Sequence, residues 1–165
     1  MTRFEPCRIE RLRAGDGARY AELMTLFGRV FDMQDTYTGA RPGAAWVAER
    51  LASEDFIALV ALDGEAVVGG LAAYVLRKFE RERSEVYIYD LAVDATHRRR
   101  GIATGLIRET VTIAGSVGAY VVFVQADRGD SPAEALYDGL GEREEVLHFD
   151  IAVPGAPPDP ERWKR

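Results

Sequence analysis

Tyr87-Ile88-Tyr89-Asp90-Leu91-Ala92-Val93 leads straight into Asp94-Ala95-Thr96-His97-Arg98-Arg99-Arg100-Gly101-Ile102-Ala103-Thr104. The first seven residues read as a buried strand, a short run of β-branched and aromatic side chains closed by an acid and small residues. Parity within the run is uneven. Val86 and Ile88 share a face with Asp90, whereas Leu91 and Val93 continue the face of Tyr89, which hints at a bulge. Beyond it, Ile102, Leu106, Ile107, Val111 and Ala114 recur at helical spacing, so the turn at Arg98–Gly101 sits on a helix N-terminus. Such a terminus carries unpaired N–H groups and partial positive charge, and favours an anion. Gly101 and Ala103 let a phosphate approach the main chain, and well-placed arginines add charge-assisted bonds of about 1.5–3 kcal/mol each. The stretch reads as a diphosphate cradle. Neither of the other common phosphate loops, Gly-x-x-x-x-Gly-Lys-Ser/Thr or a post-strand Gly-x-Gly-x-x-Gly, is present.

Upstream, Cys7–Leu12 alternates as a first strand, and Tyr20, Leu23, Met24, Phe27, Val30 and Phe31 mark an amphipathic helix. Asp32–Pro42 is loop-like, holding Asp32, Asp35 and Tyr37, and Gly43–Ser53 forms a second helix. Phe56–Leu62, Asp63-Gly64 and Glu65–Leu76 make a hairpin by turn chemistry, with Gly69-Gly70 placed for a bulge or close packing. Downstream, Ala119–Ala126 is apolar on both faces, as a central covered strand is. Asp127–Asp130 is a loop, Ser131-Pro132 reads as an N-cap and first helical position, and Ala133–Leu140 is a short helix. Glu142–Ala152 reads as a final strand, with Leu147, Phe149 and Ile151 on one face and Val146, His148 and Asp150 on the other. The order predicts an α+β (mixed α/β) domain over 1–153 and a proline-rich flexible tail over 154–165.

Composition narrows the function. The 165 residues carry a net charge of −6, which argues against a nucleic-acid binder and favours a cationic partner. No apolar run reaches the roughly 20 residues that span a bilayer, and Met1–Arg8 has no signal-peptide core. The single cysteine, Cys7, forms no intrachain disulfide and fits a reducing, cytoplasmic setting. Two histidines and one cysteine provide no metal-ligand spacing, so no metal is expected.

Arg98-x-x-Gly101-x-Ala103, between a strand and an amphipathic helix, resembles the acyl-CoA signature of the GNAT superfamily of N-acetyltransferases. Further blocks resemble the aminoglycoside 3-N-acetyltransferases of the type I (gentamicin) class: Leu26-Phe-Gly-Arg29, Glu65-Ala-Val-Val-Gly69, Leu71–Leu76, Tyr87–Val93, His97-Arg-Arg99, Gly101–Thr104, Val124-Gln-Ala-Asp127 and His148-Phe-Asp-Ile151. The early loop and the tail match poorly. The resemblance implies a twisted mixed sheet splayed between two parallel strands and flanked by helices. Acetyl-CoA would be cosubstrate, with Leu91, Ala92 and Val93 pairing to the pantetheine arm and Arg98, Arg99, Arg100, Gly101, Ile102, Ala103 and Thr104 on the pyrophosphate. The acceptor implied is an aminoglycoside amine, the 3-amino group of the deoxystreptamine ring, and the assembly implied is a homodimer.

By the same resemblance Tyr137 would protonate the departing thiolate. A polycation calls for carboxylates, and Asp127, Asp130 and Asp150 lie on or beside the elements bordering the acyl-CoA wedge, with Tyr89 and Asp90 near the reacting end and Asp35 on the early loop. An ammonium cannot attack a thioester, so one carboxylate must take its proton, Asp150 or Asp127. Transfer would be direct, in a ternary complex, since Cys7 stands far from the signature. The competing readings are a polyamine or peptide-amine acetyltransferase of the same fold, and a non-catalytic acyl-CoA-binding module.

Overall fold

Asp63-Gly64 turns the chain back on itself as its dipeptide chemistry requires, with Gly64 at φ 59°. The computed structural model describes residues 7–156. Five strands lie in the order β1-β2-β3-β4-β5: β1 (Arg8–Arg11), β2 (Phe56–Asp63), β3 (Ala66–Arg77), β4 (Ser84–Val93) and β5 (Ala119–Val124). The first four pair antiparallel. β5 joins β4 parallel, because the chain crosses over through helix α3 (Ile102–Ser116). Helices α1 (Gly17–Phe31) and α2 (Ala44–Ala52) precede the hairpin. A π-helical turn, Asp35–Gly39, stands where a plain loop was predicted.

The two glycines in β3 show how the layers close. A methyl on Gly70 would overlap Leu23 Cδ1 of α1 at 2.1 Å and meet the Leu59 carbonyl at 3.0 Å; one on Gly69 would meet Ile102 of α3 at 3.0 Å. Consecutive strand residues point to opposite faces, so α1 covers one face and α3 the other. On the α1 face Leu23, Leu26, Phe27, Val47 and Leu51 pack against Ala58, Val60, Leu62, Ala72 and Ala92. The Ala61/Leu62 register shift sits beside the glycine pair.

The chain divides into two compact units, one reaching Val124 and one beginning at Gln125. The second contains α4 (Ser131–Asp138), whose N-cap is Asp130 rather than Ser131: the Asp130 carboxylate accepts from the Ala133 N–H at 3.3 Å. Two strand expectations are corrected. β5 is not a covered central strand, since no residue of it is buried and β4 is its one partner among the described residues. Glu142–Ala152 is not a strand: none of its residues takes strand structure, and Leu147, Phe149 and Ile151 are 84%, 77% and 88% exposed. Alternating polarity marks a segment fit to pair, but a ladder exists only where a partner edge meets it. The tail expected over 154–165 lies outside the described residues beyond Ala156.

Gly70→Ala should cost about 1–3 kcal/mol through overpacking against Leu23 and the fixed Leu59 carbonyl. Gly115→Ala, helical and with open space around it, should instead add roughly 0.5–1 kcal/mol. Urea denaturation of both variants checks the pair; a neutral Gly70→Ala would show that the α1 face is loosely packed.

Candidate active site

β4 contains one residue too many for its partner. Ile88 is opposite Ala73 and Asp90 is opposite Ala72, so Tyr89 is left over in a bulge. The insertion exchanges the faces of the strand. Ile88 packs with the buried residues under α3, whereas Asp90 emerges on the α1 face with Ala72 and Ala92. Tyr87 lies opposite Tyr74 on that same face. A row of rings results: Phe56–Tyr74 at 5.2 Å, Tyr74–Tyr89 edge-on at 5.9 Å, Tyr89–Tyr87 at 5.6 Å and Tyr87 stacked on Phe123 at 4.8 Å.

Tyr37 approaches from the π-helical turn, its ring wedged between Phe27 and Phe31 at 5.6 and 5.7 Å. Its hydroxyl donates to Asp90 Oδ1 at 2.5 Å. Burial pushes the Asp90 carboxyl up from the usual range, and the Tyr37 bond opposes that rise. The Tyr37 hydroxyl is itself held far above its ordinary value by burial and by the neighbouring carboxylate. Asp35, on the same turn, is exposed. Tyr37 was noted on the early loop with Asp32 and Asp35, whereas Tyr74, Tyr87 and Phe123 were not among the candidate residues. Their signal was register, since in sequence they are merely aromatic positions in separate elements.

The other edge of β4 explains where an extended ligand can lie. Pairing with β5 stops at Ile88–Val124, so among the described residues Tyr89–Val93 run on without a strand partner on that side. The Asp94 N–H donates across to Val68 of the β3 side at 2.8 Å. By alternation the N–H groups of Leu91 and Val93 point the opposite way, to the unpaired edge. Arg98 Nε donates to the Val93 carbonyl from that side at 3.3 Å.

This edge runs into the signature turn. Asp94 caps a short 3-10 turn (Ala95–His97), accepting from Thr96 N at 3.0 Å and Thr96 Oγ1 at 2.6 Å, while Arg29 Nη2 donates to its other oxygen at 2.5 Å. His97 Nε2 lies 3.1 Å from Asp63 of the hairpin turn. These bonds, the Thr96 pair foremost, lower the Asp94 carboxyl to about 2. Arg99 and Gly101 both have positive φ, 63° and 77°, the former uncommon outside glycine. No side chain caps α3, and the space over Gly101 is open. The first N–H groups of α3, at Ile102, Ala103 and Thr104, therefore face outward beside exposed Arg98, Arg99 and Arg100. Burial first, then Asp63, pushes the Cys7 thiol up, away from the thiolate form.

The second unit holds Asp127, Asp130, Tyr137 and Asp150. Burial foremost, then Asp130, raises the half-buried Tyr137 hydroxyl. Asp150 Oδ1 lies 3.1 Å from His148 Nε2. Arg143 is paired with Asp138 at 2.6 Å and Glu134 at 3.3 Å, tying the chain after α4 back to the helix.

An acyl-transferring enzyme is the class this arrangement defines, with an unpaired strand edge leading to an uncapped, arginine-flanked helix start. The chain belongs to the acetyltransferase (GNAT) family, whose profile matches residues 21–141. Among solved structures it is similar to the aminoglycoside acetyltransferase HMB0005 from an uncultured soil metagenomic sample, at 52% identity over 90% of this chain and 99% of that one, TM-score 0.88. It is also similar to the aminoglycoside acetyltransferase meta-AAC0020 from such a sample, in complex with sisomicin, at 35% identity over 89% and 96%, TM-score 0.81. Among curated relatives, N-acetyltransferase 8B of Rattus norvegicus is 28% identical over 72% of this chain and 47% of its own length. N-acetyltransferase 8 of Homo sapiens is 30% identical over 72% and 46%. The chain thus spans less than half the length of these curated relatives. Among the described residues no helix is long and apolar enough to cross a membrane, and no cluster of His, Cys, Asp and Glu is arranged to hold a metal.

The unfolded Asp94 carboxyl protonates near 3.8, whereas the folded one stays ionised down to about 2. Its stabilising contribution is therefore present above about pH 4 and lost as pH falls toward 2. Asp94→Asn should flatten the fall in melting temperature across that window, followed by circular dichroism. An unchanged slope would show that the cap is not coupled to folding.

Proposed function

We propose that the protein acetylates an aminoglycoside, at the 3-amino group of its deoxystreptamine ring, using acetyl-CoA, and so confers resistance to such antibiotics. The observation that carries the acetyl-CoA part is the unpaired β4 edge at Leu91–Val93 continuing into the uncapped start of α3. The acceptor class rests on the likeness to two aminoglycoside acetyltransferases and on the net charge of −6.

The residues present fit an acyl-CoA. Leu91 and Val93 offer main-chain groups to the pantetheine amides as an added strand would. Arg98, Arg99 and Arg100 and the N–H groups of Ile102, Ala103 and Thr104 suit a pyrophosphate, and Gly101 leaves room for it. Acetyl-CoA supplies the activated acetyl thioester. The Leu91 N–H, aimed at the open edge, stabilises an oxygen on which negative charge grows. Tyr137, with a raised hydroxyl that keeps its proton, serves as general acid toward the thiolate. Asp35, Asp127, Asp130 and Asp150 draw in a polycation, Asp130 doing so from its place as a helix cap. On the sequence reading Asp150 or Asp127 also takes the ammonium's proton. Cys7 is left out of a direct transfer. The same reading implies a cytoplasmic homodimer, and the exposed Leu147, Phe149 and Ile151 are surface that a second copy would cover.

A second reading is acetylation of a polyamine or a peptide amine, since both are cationic and suit the net charge of −6 equally.

Mass spectrometry of gentamicin after incubation with acetyl-CoA, with the modified nitrogen located, decides between them: one added acetyl group on the 3-amino nitrogen is expected. Acetylated spermidine or lysine peptide with untouched gentamicin would overturn the aminoglycoside assignment. Tyr137→Phe should lower kcat by about 100-fold through loss of the acid while the acetyl-CoA Kd stays near wild type. Equal turnover would return Tyr137 to a packing role.

A further inference from the structure

We propose that the row of rings across the sheet selects acceptors by ring count: the central ring of a three-ring aminosugar lies at Tyr89, one outer ring on Tyr74 and the other on Phe123. The proposal rests on the reading of the chain as an aminoglycoside acetyltransferase.

Register builds the row. β2, β3, β4 and β5 each place one ring at the same level of the sheet, with Phe56 opposite Tyr74, Tyr74 opposite Tyr87 and Tyr87 opposite Phe123. Adjacent strands lie about 4.8 Å apart, so the row spans about 14 Å, a length that three linked six-membered rings fill. The bulge then sets Tyr89 over the middle, edge-on to Tyr74 at 5.9 Å and to Tyr87 at 5.6 Å. Tyr89 is two residues from Leu91, whose N–H faces the open edge. The centre of the row is therefore its part nearest the chemistry, as an acceptor reacting on its middle ring requires.

The row does not simply extend the core. Phe56 packs against the core under α1 and anchors one end, but Tyr74 and Tyr89 are 45% and 63% exposed. The chain's own guanidiniums that lie over rings do so elsewhere, Arg50 on Trp46 and Arg83 on Tyr120. Burial foremost raises the Tyr74 and Tyr87 hydroxyls, with Asp90 and Tyr89 adding to it, so both phenols keep their protons and stay neutral. An aminosugar ring suits such a surface. Its C–H groups, made electron-poor by the ammonium substituents, lie against electron-rich ring faces, while its hydroxyls meet the phenols. A linear polyamine has no ring to lay there.

The test measures thiol release by the full chain with acetyl-CoA and four acceptors: 2-deoxystreptamine with one ring, neamine with two, gentamicin with three, and spermidine with none. Tyr74→Leu and Phe123→Leu should each raise the gentamicin KM about fivefold to tenfold, with kcat and the acetyl-CoA Kd unchanged. Neamine, with one outer ring, should respond to one of the two variants, and 2-deoxystreptamine and spermidine to neither. Tyr74→Phe and Phe123→Tyr keep the rings and should keep the wild-type KM. The proposal is overturned if the Leu variants leave the gentamicin KM in place, if they shift all four acceptors alike, or if Tyr74→Phe loses as much as Tyr74→Leu. Should a Leu variant fail to fold, the wild-type series decides. There kcat/KM should rise from 2-deoxystreptamine through neamine to gentamicin, and keep rising at about 1 M salt, where charge attraction is screened. A flat series, or one that salt abolishes, overturns the proposal while gentamicin turnover leaves the aminoglycoside reading standing. Turnover of spermidine without gentamicin overturns both.

Discussion

One surplus residue in β4 governs the site. A strand alternates its side chains between two faces, so a regular Ser84–Val93 would send Asp90 to the same face as Ile88, under α3. Leaving Tyr89 unpaired between Ile88 and Asp90 reverses the alternation partway along. Apolar burial is satisfied on both sides of the bulge, with Ile88 beneath α3 and Ala92 beneath α1. A polar residue is delivered where the sheet is lined with rings. The same distortion coincides with the end of pairing to β5, so the edge becomes free where the faces change over.

Holding that geometry falls to groups far apart in sequence. Arg29 of α1 reaches Asp94, and His97 reaches Asp63 of the hairpin turn. Exposed ion pairs of this kind contribute little to stability singly. Their effect here is positional: they fix the turn in which Arg99 and Gly101 adopt left-handed backbone, and so fix the direction in which α3 presents its unpaired N–H groups. Tyr37 works similarly on the other side, a hydroxyl bond backed by Phe27 and Phe31. Gly69 and Gly70 let both helices approach the sheet closely enough for these contacts to form.

Much of this was legible in the residues. The helix at Ile102, the hairpin at Asp63-Gly64, the close approach at Gly69-Gly70 and the hint of a bulge before Leu91 all follow from periodicity, turn chemistry and side-chain size. The misreadings share a cause. Ala119–Ala126 and Glu142–Ala152 have the composition of covered or half-covered strands, but composition records what a segment can bury and not whether another segment meets it. Ser131 and Asp130 are both good caps, and only the backbone angles at Asp130 chose between them.

By itself the sequence determined the local matter: which segments are strand or helix, where the chain turns, and that an arginine-rich loop opens a helix suited to a phosphate. Those properties depend on neighbours within a few positions, where sterics and hydrogen bonding are already decided. The tertiary structure alone decided that Tyr37, Tyr74, Tyr87, Asp90 and Phe123 share one face, and that the Leu91 N–H points to an edge that no strand covers among the described residues. These facts depend on register between strands and on where pairing stops. Both are set by the packing of the whole sheet against its helices, which no short window of residues contains.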